Sequence, residues 1–119
     1  MRADQIIQSA MALLGYADEE GNINSPKLHS VSISAVNAIY SDLYYLEKEE
    51  GFLPIGSANE EIKLSERILN DVMVYGVASF IAQSTGDSNN QFYYSQMYNE
   101  KRKKVSAKSE IQDTLPTVD

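Results

Sequence analysis

The stretch Gly86-Asp87-Ser88-Asn89-Asn90-Gln91 separates two long helical patterns. How these six residues read settles whether the second half of the chain is one helix, two helices or a loop. Glycine tolerates the left-handed conformation found just past a helix C-terminus, so Gly86 reads as a stop. Ser88 and Gln91 have the spacing of a capping box, in which each side chain satisfies the other residue's free backbone N–H. Asp87 adds negative charge at the positive end of the following dipole. A tight turn between two helices is expected.

Upstream, Ser65 reads as an N-cap. Beyond it Ile68, Leu69, Val72, Met73, Tyr75, Val77, Phe80 and Ile81 cover more than half of a helical circumference, the pattern of the helix at the centre of a core. Gly76 costs about 1 kcal/mol relative to alanine inside that helix, which is expected where another backbone approaches closely. Downstream, Tyr94, Met97, Tyr98 and Val105 recur at helical spacing. They predict a buried stripe on a fourth helix from about Asn89 to Ala107, with Phe92 and Tyr93 covering neighbouring surface. The run Lys101-Arg102-Lys103-Lys104 then falls in the last turns, where cations complement the negative end of the dipole.

In the first half, Ile6, Ile7, Ala10, Met11, Leu13 and Leu14 line one face of a helix that Gly15 can end. Ser25-Pro26 reads as a cap followed by proline at the first helical position. From there Leu28, Val31, Ala35, Ile39, Leu43 and Leu46 run along one side of a second helix that ends near Glu50-Gly51, about 36 Å long. Its weak point is Val31-Ser32-Ile33-Ser34, where alternation also fits a strand. Residues 52–64, with Pro54 and Gly56, fit no helical period, and a short extended piece around Ile62 and Leu64 could pair with 52–55. The fold class expected is all-α, a small bundle of about four helices. It forms a single domain over residues 1–107, with an irregular or short hairpin connection at 52–64 and a flexible tail at 108–119.

The chemistry this composition excludes is extensive. There is no cysteine, hence no disulfide, thiolate nucleophile or sulfur-ligated zinc site, and the single histidine, His29, cannot build a multi-histidine metal centre. Asp18-Glu19-Glu20-Gly21-Asn22-Ile23 has the glycine of a calcium loop, but counting outward puts Tyr16 and Lys27 where calcium needs an aspartate and a glutamate. Carboxylate pairs such as Glu49 with Glu50 or Glu60 with Glu61 are sequence neighbours, and adjacent helical positions do not converge. No phosphate loop, nucleophile elbow or dinucleotide fingerprint is present. No catalytic residue, cofactor or metal is expected, and the chain is read as a non-enzyme. With no apolar run near the ~20 residues that cross a bilayer and no signal-peptide h-region, a cytoplasmic protein without a membrane partner is expected.

What remains is charge and tyrosine. The formal net charge is −7, yet residues 1–100 hold 14 acids and 5 bases, residues 101–108 hold five bases and no acid, and residues 109–119 hold three acids and no base. A basic helix end can contact phosphate, so a small helical nucleic-acid-binding protein is one reading. Against it, consecutive cations point around a helix and do not build one face, and the acidic remainder repels DNA. The other reading is protein contact. Eight tyrosines without a tryptophan are more than one core readily hides, and an acidic body with a basic helix end is complementary to copies of itself. The partner-contact candidates are Tyr93, Lys101, Arg102, Lys103, Lys104 and Lys108.

The run from Pro54 to Lys104 resembles the head-tail connector, or head completion adaptor, proteins of tailed bacteriophages and prophages. The residues that carry this are Leu53-Pro54-Ile55, Glu61-Ile62-Lys63-Leu64-Ser65, Tyr75-Gly76-Val77-Ala78 with Ile81-Ala82, Gly86-Asp87, and Tyr98-Asn99-Glu100-Lys101-Arg102. The resemblance covers a little under half of the chain. It implies a helical structural protein of the virion, assembled in the bacterial cytoplasm. Such a protein forms an oligomeric ring of about a dozen copies at the head-tail junction, between the portal protein and a tail or stopper protein. DNA would cross the channel during packaging and ejection as non-specific cargo, which an acidic lumen suits. Tyr75-Gly76 would serve close helix packing, and no catalytic residue is carried over.

Overall fold

The computed structural model describes residues 1–16, 26–47 and 50–114, with side chains for 1–16, 30–46 and 50–105. The protein is all-α: α1 (Ala3–Leu14), α2 (Pro26–Glu47), α3 and α4 (Ser88–Thr114). Helix α3 is continuous but built of three pieces, Glu66–Ile68, a wider π turn over Leu69–Met73, and Val74–Thr85. Among the described residues there is no strand, only an isolated antiparallel bridge between Arg2 and Glu61. The 18–24 loop lies outside the described residues.

The two glycine stops form as expected. Gly15 (φ 75°) and Gly86 (φ 77°) both take the left-handed conformation at their helix ends, which a side chain would strain. The start of α4 differs from the expected box. Asp87, not Ser88, is the cap: its carboxylate accepts from the Asn90 N–H and its carbonyl from the Gln91 N–H. An aspartate one position earlier supplies both the acceptor and the charge–dipole attraction, so Ser88 becomes the first helical residue. At α3, Ser65 caps as expected, its Oγ accepting from the Ile68 N–H.

The core is one cluster with α3 at its centre. Ile6, Ile7 and Met11 of α1, Val36 and Leu43 of α2, and Leu69, Val72, Met73, Val77 and Ile81 of α3 are fully buried. Residues 31–34 are helical: Ser32 is buried between half-buried Val31 and Ile33, and the strand alternative falls away.

The connection at 52–64 is irregular and forms no hairpin. Ile55, expected to pair with the extended piece, is held instead by one side chain of α2: its N–H donates to Asn37 Oδ1 (2.8 Å) and its carbonyl accepts from Asn37 Nδ2 (3.0 Å). The carbonyls of Ala58 and Glu60 accept from the Asp4 and Ala3 N–H groups, and the Ile62 N–H donates to the Met1 carbonyl. The physical reason lies at the start of α1, whose first N–H groups have no partner within the helix and are satisfied by this segment.

Helix α4 continues to Thr114, past the expected end near Ala107. Residues 115–119 lie outside the described residues. The cations 101–104 therefore stand well before the helix end, and the expectation that they complement its dipole is corrected, since that effect fades beyond the last turn.

Candidate functional site

Among the described side chains of α4 only Tyr98, 8% exposed, is a core residue, while Tyr94, Met97 and Val105 are half-buried, so over these residues the expected stripe is narrower than its spacing suggested. The ring of Tyr98 lies directly on Gly76. A Cβ at position 76 would stand 2.8 Å from Tyr98 Cδ1 and Cε1 and 3.0 Å from Ile39 Cδ1. The close approach expected there is made by an aromatic ring and not by another backbone.

Beyond Gly76, Tyr98 donates its hydroxyl to Asp42 Oδ2 of α2 (2.5 Å). One turn further along α4, Arg102 grips the same carboxylate with both ends of its fork, Nε to Oδ2 at 2.7 Å and Nη2 to Oδ1 at 3.0 Å. Burial works to raise the Asp42 carboxyl, but the hydrogen bonds from Arg102 and Tyr98 outweigh it and hold it below the usual carboxylate range. Burial, reinforced by the hydrogen bond to Asp42, pushes the Tyr98 hydroxyl well above its ordinary value, so it remains a donor. The Arg102 guanidinium is raised by the hydrogen bond to Asp42.

A second contact lies on the α3 side. Tyr75 and Tyr94 stack with centroids 6.2 Å apart, and Lys101 places its ammonium 4.9 Å from the Tyr75 centroid, within cation–π range. The Tyr94 hydroxyl reaches the carbonyl of Leu13 in the last turn of α1. Beside it, Tyr16 donates to Asp87 Oδ2 (2.8 Å) and shares a hydrogen bond with Thr85. Burial first, then Asp87, raises the Tyr16 hydroxyl. Thus the turn at 86–91 is also tied to the end of α1.

The six candidates separate accordingly. Arg102 is taken up by Asp42 and Lys101 by Tyr75, so two of the four consecutive cations serve the fold. Lys103 and Lys104 are exposed and have no ion-pair partner among the described residues. Tyr93 is 55% exposed and Phe92 beside it 66%, so they do not cover the neighbouring surface as expected. The side chain of Lys108 lies outside the described ones. Sequence reasoning missed Asp42; its one signal was a lone carboxylate among Ile39, Tyr40, Leu43 and Tyr44.

Elsewhere an open groove of about 390 Å³ runs between α2 and the 51–63 connection, bounded by Tyr40, Leu53, Glu60 and Glu61. Its carboxylates are engaged locally: Glu60 accepts from the Gly56 and Ser57 N–H groups, and Glu61 lies 3.4 Å from the Met1 ammonium. Among the described residues no group of His, Cys, Asp or Glu is placed to hold a metal ion, and no helix is long and apolar enough to cross a membrane. Compared with known protein families, curated proteins and solved structures, the chain matches none.

Proposed function

We infer that the protein is a structural subunit of a tailed-phage virion, a ring-forming adaptor at the head-tail junction that joins portal to tail. The observation that carries this reading is what the fold does to the basic run. Lys101 and Arg102 are turned inward as packing groups, and the remaining exposed cations share the outer surface of α4 with two exposed aromatics. Such a surface suits protein contact, where an aromatic ring supplies area and flanking charges supply register. As a phosphate grip it is poor, because the two lysines exposed among the described residues of α4 stand on an acidic body and give little electrostatic drive. In this reading DNA crosses the assembled channel and is not bound by sequence.

The test is co-sedimentation of the purified protein with the portal protein of the phage or prophage that encodes it. A stable complex with many copies per portal is expected, and failure to bind portal at any salt concentration overturns the reading. The nucleic-acid alternative predicts a gel shift at low salt that disappears when Lys103 and Lys104 are neutralised; no shift is expected here.

A further inference from the structure

Among the described residues, the large apolar side chains left exposed are Leu13 and two pairs, Tyr45 with Leu53 and Phe92 with Tyr93. The first pair flanks the groove between α2 and the 51–63 connection, and the second stands near the start of α4. Each pair lies at one end of a surface whose other end is charged, and the two charges are opposite.

The groove is polarised along α2. At one end the Tyr44 hydroxyl donates to the Glu50 carbonyl, and the rings of Tyr44, Tyr45 and Phe52 meet one another beside Leu53, 76% exposed. At the other end Asn37 holds Ile55, and the next residue, Gly56, donates to Glu60. Seven residues of α2 separate Asn37 from Tyr44, about 10 Å. Glu60, Glu61 and Lys63 line the groove and are exposed, two acids to one base, and each carboxylate can accept more hydrogen bonds than the one or two contacts it makes locally.

The outer face of α4 carries the reverse pattern. Eleven residues make three turns, so Phe92 stands in line with Lys103 and Tyr93 with Lys104, each about 16 Å apart. Glu100 lies exposed between them, which makes two bases to one acid. The excess of about 6 Å over the groove is what a flexible lysine stem can cover.

This face cannot reach the groove of its own copy. On α2, Asp42 turns toward α4, where it accepts from Tyr98 and Arg102. Tyr40 and Tyr44 stand two residues before and after it, about 200° around the helix, and turn toward the connection. We propose that the groove receives the outer face of α4 from a second copy, Phe92 joining the rings of Tyr44 and Tyr45 beside Leu53 while Lys103 faces Glu60 and Glu61. The contact is heterologous: each copy gives its α4 face to one neighbour and its groove to another, which closes into a ring when the rotation permits. It rests on the self-association in the reading above and not on the portal.

The experiment places photoreactive benzoylphenylalanine at position 92 of the full chain and mixes isotope-labelled with unlabelled copies, alone and with portal. After irradiation, mass spectrometry locates the linked peptide. The expected product joins position 92 to residues 44–55 of a differently labelled copy. Lys103→Glu with Lys104→Glu should cut its yield about tenfold, because like charges then face each other. Leu53→Asp changes an exposed side chain, so Tm should hold while the yield falls as far. A link to a second α4 or to any other segment, a link within one copy only, no link in either sample, or full yield from the lysine variant each overturns the proposal. Portal binding is scored on the same samples. Portal binding without the groove link removes this contact and leaves the adaptor reading standing, and the groove link without portal binding does the reverse.

Discussion

Gly76→Ala tests the packing of α4 at its tightest point. In an open helix interior this change stabilises by about 1 kcal/mol, because alanine loses less backbone entropy than glycine. Here the added methyl would stand 2.8 Å from two ring carbons of Tyr98 and 3.0 Å from Ile39 Cδ1, inside the distance that carbon atoms keep. The ring cannot swing aside without breaking a hydrogen bond, since its hydroxyl is held by Asp42 and that carboxylate by Arg102. Overpacking of this kind costs about 1–3 kcal/mol. Losing the hydrogen bond to a charged acceptor adds about 1.5–3 kcal/mol if the ring is displaced. After subtracting the propensity gain of about 1 kcal/mol, the variant with a displaced ring is expected to be less stable by about 1.5–5 kcal/mol. At about 4 °C per kcal/mol for a chain of this size, Tm should fall by roughly 6–20 °C. Urea and thermal unfolding followed by circular dichroism measure it. A double-mutant cycle with Tyr98→Ala should give strong non-additivity, because once the ring is gone the methyl has room. If Gly76→Ala raises Tm, or the cycle is additive, the close approach does not exist.

The clamp predicts an order of effects: Arg102→Ala removes a half-exposed ion pair and should cost no more than about 1 kcal/mol, whereas Asp42→Ala also leaves the buried Tyr98 hydroxyl without its acceptor and should cost about 1–3 kcal/mol. Urea titrations of the two variants check the ranking. The raised hydroxyl of Tyr98 stabilises the folded state fully below the unfolded tyrosine value, about pH 10, and this contribution is lost as pH rises above it. Alkaline unfolding followed by tyrosinate absorbance should show one late group ionising with the unfolding step, and Tyr98→Phe should remove that group. Asp42 works in the opposite sense: its lowered carboxyl stabilises above about pH 4 and the contribution is lost in more acid solution, so Asp42→Asn should flatten the acid limb of Tm against pH. Asn37→Ala strips both backbone groups of the buried Ile55 of their partners and should cost about 1–3 kcal/mol, read as faster amide exchange over 52–57.

The parts of this fold that were legible in the sequence are those fixed by neighbours along the chain. Gly15 and Gly86 each end a helix through their own backbone conformation, and Ser65 caps the N–H three residues on, so local pattern sufficed. The errors lie where partners are far apart. The N-terminal N–H groups of α1 draw the 58–62 segment to them, and Asn37 holds Ile55 across the connection, which left the expected hairpin without its ladder. Neither arrangement has a period. Asp42 meets Arg102 across 60 positions, and the spacing of 101–104 could show that cations diverge but not which would be drawn inward. The π turn at Leu69–Met73 left no mark, since each of its residues is an ordinary helix residue. For the candidate surface, Tyr93 and the basic run were visible as composition; the exposure of Phe92 became visible only once Tyr98 had set the rotation of α4.

Electron microscopy of the portal protein with and without this chain is the most direct test of the central claim. An adaptor should appear as an added ring of density on the portal, built of helical subunits around an open channel and absent when the chain is left out. Portal particles unchanged by saturating amounts of the protein would contradict it.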